Sequence, residues 1–236
     1  MPALAVDLGS ATAGIWAADH GAVSAAHPNG PVRRGRVVDV DSCVTLLTRL
    51  ADEYAQPVTA DVVVACQPVG ASASEQAQLR TVIETAFAPS RTILIDSVRA
   101  AAIGAGAAAG TLLIADIGAE LTETALLRQG RVVAARRAEF GTRDLGRDAD
   151  VDLLSDIVVR HLDHLRAGAD PGHLAEATER GLLLVGDGAL HPALPGILSR
   201  ACGLRVHRAA APRTAALDGA GRAAMSALRH PAFRKS

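Results

Sequence analysis

Two stretches of this chain repeat each other at a fixed offset. Leu4-Ala5-Val6-Asp7-Leu8-Gly9-Ser10 and Leu113-Ile114-Ala115-Asp116-Ile117-Gly118-Ala119 both read as an apolar strand, an Asp, an apolar residue, a Gly and a small residue. Asp7 and Asp116 lie 109 positions apart, and the same offset relates Gly21 to Gly130, Val23 to Val132, Ala25 to Ala134 and Ala26 to Ala135. An offset shared by a strand, a loop and a hairpin argues for two copies of one β-β-β-α unit. Two similar subdomains facing each other are expected, divided as 1–108 and 109–236, with the last helix packing back on the first.

Composition narrows the function classes. Among 236 residues, 49% are hydrophobic and 21% charged, which excludes a disordered chain. Lys and Arg number 24 against 25 Asp and Glu, so there is no electrostatic footprint for nucleic acid or an anionic membrane. Aromatic residues are 2%, too few for base-stacking platforms. Cys43, Cys66 and Cys202 lack CxxC spacing and are expected as buried free thiols in a reducing cytoplasm. Met1 to Ser10 has no basic segment and reaches Asp7, so no secretory leader is expected there. The longest apolar run, Ala100 to Ala115, is too short to span a membrane, and Gly110-Thr111 divides it into a helix and a strand.

Strands alternate with helices along the chain. Strands are predicted at Leu4–Leu8, Asp61–Cys66, Thr92–Ile95, Leu112–Ile117, Leu182–Val185 and Leu204–His207, with hairpins around Asp19-His20-Gly21 and Gln129-Gly130. Helices are predicted at Cys43–Tyr54 with Asp41 as N-cap, from the Ser72/Glu75 capping box to about Phe87, and at Val98–Ala108. Three more are expected at Val151–Leu165, Leu194–Cys202 and Pro212–Leu228. Gly168 to Gly172 reads as a polar turn, and Arg33-Arg34-Gly35-Arg36 as a solvated turn or hairpin edge in preference to a polyanion contact. The pattern is α/β, with ligands expected at the carboxyl ends of the strands.

The repeated loops have a legible chemistry. An Asp at a strand end can hold Mg²⁺ through water, because Mg²⁺ keeps much of its hydration shell. The Gly that follows lets backbone N–H groups approach a phosphate. Asp7 and Asp116 are therefore candidate metal-site residues, and Gly9, Gly118, Ser10 and Thr12 candidate phosphate contacts. Without a ligand, the two Asp residues would serve as loop caps. His161, Asp163 and His164 lie close on one helix, but a third convergent metal ligand is missing, so they are expected at a solvent-exposed face.

The order of these motifs resembles the superfamily of actin, sugar kinases and heat-shock chaperone ATPases, and most closely its bacterial actin members MreB and Mbl. Ala5 to Ala11 resembles the first phosphate loop, D-L-G-T-A-N-T, and Val62 to Gly70 followed by Glu75 resembles V-P-x-G-I-T-x-x-E. Leu94 to Gly104 lies over L-I-E-E-P-M-A-A-A-I-G, and Ala115 to Glu123 over V-D-I-G-G-G-T-T-E. Leu184 to Leu190 lies over the adenosine-side L-T-G-G-G-S-L, which adds Gly186 and Gly188 as candidate nucleotide contacts, and Pro212 to Gly221 resembles P-L-T-A-V-A-x-G-A-G.

The resemblance implies an actin-like (ribonuclease H-like) duplicated fold, ATP or ADP with Mg²⁺ in the cleft, and a cytoplasmic cytoskeletal or rod-shape-determining role. Its expected partners are morphogenetic proteins such as a full-length MreB-like filament, or further copies of this chain. The departures from the family pattern imply a degenerate cleft. Ala119 and Glu120 replace loop glycines, with the Glu120 charge set against a phosphate, and Asp187 replaces the middle glycine of the adenosine loop. Ser97 stands where the family carries its water-activating Glu, and Ser is no general base at neutral pH. The short connections after Ala26 and after Gly141 imply that the two outer subdomains are largely deleted. The alternative functions are a working ATP-binding switch that gates a partner, as in the chaperone-type relatives, and a scaffold for pilus or microcompartment machinery.

Overall fold

The computed structural model describes residues 3–27, 30–54, 58–146 and 151–229; Met1 of the leader reading lies outside them. The first half builds strands β1 (Ala3–Leu8), β2 (Thr12–Ala17) and β3 (Gly21–Ala26), a two-residue-per-strand hairpin β4 (Val32–Arg33) and β5 (Arg36–Val37), and helix α1 (Val40–Ala51). Strand β6 (Val62–Gln67), helix α2 (Ala73–Phe87), strand β7 (Arg91–Asp96) and helix α3 (Ser97–Gly104) complete it. The second half runs β8 (Thr111–Ile117), β9 (Thr122–Arg128), β10 (Arg131–Ala138), α4 (Asp152–Gly168) and α5 (Pro171–Arg180). It ends with β11 (Leu182–Val185), α6 (Leu194–Cys202), β12 (Val206–Arg208) and α7 (Ala215–Arg229).

The repeat is a duplicated sheet. One five-stranded sheet has the order β3-β2-β1-β6-β7 and the other β10-β9-β8-β11-β12. In each, the first three strands are antiparallel and the rest join in parallel. The 109-residue offset carries β1, β2 and β3 onto β8, β9 and β10, and the pair Asp7–Gly14 onto Asp116–Glu123. Among the described residues, the β4–β5 hairpin is found only in the first half, and α5 only in the second. Where β3 leads to α1, the only regular structure among the described residues is that hairpin, which fits a shortened actin-like chain.

Burial follows periodicity. Cys43, Leu47 and Leu50 of α1 and Leu79, Val82 and Ile83 of α2 cover one face of the first sheet with Leu4, Val6 and Ile15. Leu154, Val158, Leu162 and Leu165 of α4 cover the second sheet with Leu113, Ile117 and Leu126. A third core joins the halves: Ala5, Val62 and Val64 of the first sheet and Leu112, Ile114 and Leu127 of the second close over α3 and α7. There α7 lies on β1, β2 and β6, with Gly221 against the Trp16 ring. Small residues let α3 and α7 nearly touch. A Cβ on Gly219 would lie 2.7 Å from the Gly104 nitrogen, and one on Gly104 would lie 2.8 Å from the Ala215 carbonyl carbon.

Several local expectations change. The α1 N-cap is Asp39, whose Oδ1 accepts from the Ser42 N–H at 2.9 Å; Asp41 lies in the first turn. Helix α3 ends at Gly104 rather than Ala108, since Gly106 takes positive φ. The final helix starts at Ala215, after the turn that Pro212 opens. The polar turn after Gly168 is the start of α5: Asp170 caps it, accepting from the Gly172 and His173 amides, and Pro171 fills its first position.

Candidate functional site

Each strand that ends in Asp turns on a glycine into its antiparallel neighbour. The Gly9 N–H donates to the Thr12 carbonyl at 2.9 Å, and the Gly118 N–H to the Leu121 carbonyl at 2.8 Å, the same bond 109 residues on. The parallel crossover in each half brings these turns to the carboxyl ends of β1 and β8, where they face each other across a cavity of about 120 Å³. Asp7, Gly9, Ser10 and Thr12 line it from one half, and Asp116, Gly118 and Gly186 from the other. Gly188 does not; it packs behind the wall, where a Cβ would lie 2.5 Å from the Ile117 side chain. Gly186 adopts φ +81°, and a Cβ there would strike the Asp116 carboxylate, so glycine lets that carboxylate rest on the backbone.

The floor of the cavity is acidic. Burial raises Asp7 from 3.8 to about 6. Burial, then the nearby Asp7 and Asp187, raises Asp116 from 3.8 to about 7. A third carboxylate joins them: Glu123, directly across the hairpin from Asp116, is raised from 4.5 to about 8 by burial and then by Asp116. Its Oε1 accepts the Val69 N–H at 2.5 Å, a bond that favours the ionised form without offsetting burial. Glu123 escaped the sequence reading as a site residue. Its signal was a charge in an otherwise apolar strand, at the hairpin position facing Asp116.

Among the described residues, no group of three or more His, Cys, Asp or Glu side chains is placed to hold a metal ion directly. The chemistry of the donors fits a hydrated divalent cation better than a bare one: clustered carboxylates, destabilised as anions by burial and by each other, regain stability beside positive charge. Ser97 also lines the cavity, its Oγ donating to the Gln67 carbonyl at 3.1 Å, whereas Asp96 is not among the lining residues and instead accepts from Gln67 Nε2 at 3.3 Å.

Of the two forms expected for Arg33–Arg36, the structure has the hairpin edge and not the solvated turn. The segment sits on the β4–β5 hairpin, with Arg34 at φ +50° and Gly35 at φ +75°, and reaches into the second half. Arg33 Nη1 donates to Glu120 Oε1 at 2.9 Å, and the Arg34 N–H to Glu120 Oε2 at 3.0 Å. Arg34 forks onto Asp144, donating at 2.9 and 2.6 Å, and also onto the Glu139 carbonyl. Arg36 bridges Glu75 at 2.8 Å and Glu139. From the other side, Arg143 Nη1 donates to the Ser10 carbonyl at 2.9 Å. Glu120 does line the cavity, and its charge there is paired. Burial raises its pKa, but the Arg34 amide and the Arg33 guanidinium outweigh this and hold it below its ordinary value. Arg34→Ala is expected to lower stability by about 1 kcal/mol, less at high salt, because the fork is partly exposed. Urea unfolding at low and high salt checks this; equal stability of the variant at low salt would show that the clamp is idle.

A wider groove of about 600 Å³ continues from the cavity, sharing Ala11, Thr12, Ala119, Asp187 and Arg213 with it. The inner cavity alone falls short of the roughly 300–1,000 Å³ of ordinary ligand pockets; with the groove the site reaches that range. Asp187 stands at the junction, its Oδ1 accepting from Arg213 Nε at 2.6 Å. Away from the cleft, His161 is buried against the Thr124 hydroxyl at 3.1 Å and lowered to about 4, first by burial, while His164 is exposed. The expected exposed histidine face is thus split. All three cysteines are buried and free, and no helix among the described residues is long and apolar enough to cross a membrane.

Comparison with solved structures gives the fold a name. The chain superposes on MreB5 of Spiroplasma citri bound to ADP with a TM-score of 0.80 at 15% identity, covering 97% of this chain and 96% of that one. Ethanolamine utilization protein EutJ from Carboxydothermus hydrogenoformans gives 0.72 at 17%, covering 94% and 89%, and a MamK double helical filament 0.76 at 12%, covering 95% and 98%. The fold is actin-like. No curated protein matches the chain. The family model described as MreB/Mbl protein matches residues 25–154, more than half of the length, and the chain belongs to the MreB/Mbl family.

Proposed function

We propose that this chain binds ATP or ADP in the cleft between its halves, turns the nucleotide over slowly or not at all, and acts by binding partners. One observation carries the nucleotide reading. Two glycine turns with the same internal hydrogen bond face each other across one cavity, with Asp7 and Asp116 at its floor. In this reading Gly9, Ser10, Thr12 and Gly118 lie along the phosphates, and Gly186 beside the nucleoside. Asp7 and Asp116 hold a hydrated Mg²⁺, whose chemistry is to neutralise phosphate charge. MreB5 is a solved relative in fold that binds ADP, which supports this choice of ligand. Slow turnover is inferred from Ser97, whose hydroxyl lines the cavity where a general base would be needed.

The division at residues 108 and 109 separates the two inner subdomains, with the outer ones largely absent. The role is cytoskeletal or morphogenetic, in the cytoplasm, through a full-length MreB-like filament or further copies of this chain; the likeness to a MamK filament supports self-association. A second reading, an ATP-binding switch that gates a partner, is favoured by the arginine clamp that joins the halves across the cleft. Calorimetric titration of ATP and ADP with Mg²⁺ tests the reading. Micromolar binding that Asp7→Ala abolishes is expected, with turnover far below that of intact family members. No binding at millimolar nucleotide would sink it, and fast hydrolysis would sink the slow-turnover part alone.

A further inference from the structure

We propose that Glu120 is a built-in anion occupying the cation set at the cleft, which an incoming polyphosphate must displace in order to bind. The proposal rests on the nucleotide reading for its ligand, but on its own observations for the site. Glu120 lines the cavity with a side chain 8% exposed. One carboxylate oxygen takes the Arg33 guanidinium at 2.9 Å and lies 3.9 Å from Arg143, and the other takes the Arg34 backbone N–H at 3.0 Å. Guanidinium groups and backbone amides are the donors that recognise phosphate oxygens. A carboxylate already sits among them. Arg213, also in the cavity lining, is likewise held by Asp187.

The internal repeat shows that this arrangement is an addition to the basic unit. The 109-residue offset places Glu120 on Ala11, so the first glycine turn has no charge where the second has one. The β4–β5 hairpin, which supplies Arg33 and the Arg34 amide, has no counterpart among the described residues of the second half. Two departures from the duplicated plan therefore meet in one ion pair. Loop-stabilising partners could have come from within the same half; these cross between halves, so the pair fills the anion position and closes the cleft together. A ligand phosphate that took over Arg33, Arg143 and the amide would release Glu120 toward solvent.

Inorganic tripolyphosphate without metal is the probe, titrated calorimetrically into the full chain, with Mg-ADP in a parallel arm. Glu120→Ala is expected to bind tripolyphosphate about tenfold more tightly than the wild type, a difference of about 1.4 kcal/mol. Glu120→Gln, which keeps the shape and loses the charge, should shift affinity in the same direction by less. Adding Arg33→Ala to Glu120→Ala should return affinity to the wild-type level. Thermal melts identify folded variants, and Glu120→Gln serves if Glu120→Ala is unfolded. Unchanged or weaker binding in a folded Glu120 variant overturns the proposal, as does tripolyphosphate failing to bind any variant. The two readings separate cleanly. Tightened tripolyphosphate binding with no Mg-ADP binding removes the nucleotide reading and leaves the Glu120 anion standing. Asp7-dependent Mg-ADP binding with no Glu120 effect does the reverse.

Discussion

Gly219→Ala is expected to lower the melting temperature by roughly 6–12 °C, and Gly104→Ala by a similar amount. The added methyl on Gly219 would fall on the Ala100 carbonyl and the Gly104 nitrogen, and the one on Gly104 on the Ala215 carbonyl and the Gly219 nitrogen. These neighbours are helix backbone, so neither can rotate away, and α3 and α7 must separate. Overpacking of this kind costs about 3 kcal/mol, and for a chain of this length each kcal/mol moves the melting point by about 2–4 °C. Helix propensity alone predicts the opposite, since Ala exceeds Gly by about 1 kcal/mol in a helix interior. The sign of the shift in a thermal melt therefore decides between local propensity and the inter-half contact. Because both methyls push the same pair of helices apart, the double variant should lose less than the two single losses combined. An unchanged or raised melting point in either single variant would mean that α3 and α7 are not packed backbone to backbone.

That contact was half legible in the sequence. The last helix is expected to pack back on the first half, and α7 does lie there, but no local rule singles out α3, more than a hundred residues away, as the helix whose backbone it meets. The duplicated loops were legible because a shared offset needs no knowledge of folding: Asp7 and Asp116 fall into equivalent strands and reach one cavity. The clamp was not legible. Arg34 and Asp144 are 110 residues apart, and no local rule pairs a guanidinium in one turn with a carboxylate in another. Two misses did carry a local signal. Asp170-Pro171 is an N-cap followed by a proline at the first helical position, yet Ala177 is the one buried residue of α5, so no apolar stripe drew attention to it. His161 falls on the face set by Leu154, Val158, Leu162 and Leu165, and its polar neighbours Asp163 and His164 masked a position that periodicity places inside.

Metal-free protein is expected to lose about 3 kcal/mol of stability between pH 6.5 and 8.5, a direction opposite to that of most paired carboxylates. The reason is the sign of the shifts at the cavity floor. Asp116 and Glu123 are raised by burial to about 7 and about 8, so over this interval the folded chain holds protons that the unfolded chain has released. Stability falls wherever the folded state binds more protons, by about 1.4 kcal/mol per pH unit for each such group. Below pH 6.5 the slope is mixed. Asp7, at about 6, still favours lower pH, while His161, lowered to about 4, favours higher pH because its neutral ring is what the core accepts. Glu75, held at about 2 by the Ser72 cap despite its burial, withdraws support only in stronger acid. Urea unfolding at pH 6.5 and 8.5 isolates the cavity carboxylates from both. Glu123→Gln can keep the bond from the Val69 amide while removing the charge, so it should raise stability at pH 8.5 and leave pH 6.5 nearly unchanged. Added Mg²⁺ should also flatten the slope, because a divalent cation lowers the cost of ionising Asp7 and Asp116 and binds the folded state alone. A flat or rising profile in metal-free protein would mean that these carboxylates are solvated rather than desolvated, removing the electrostatic case for a cation between them. A falling profile that Mg²⁺ leaves unchanged would keep the buried carboxylates but place the cation elsewhere. A falling profile that Mg²⁺ flattens ties the stability lost at Asp7, Asp116 and Glu123 to a site whose geometry is set for positive charge.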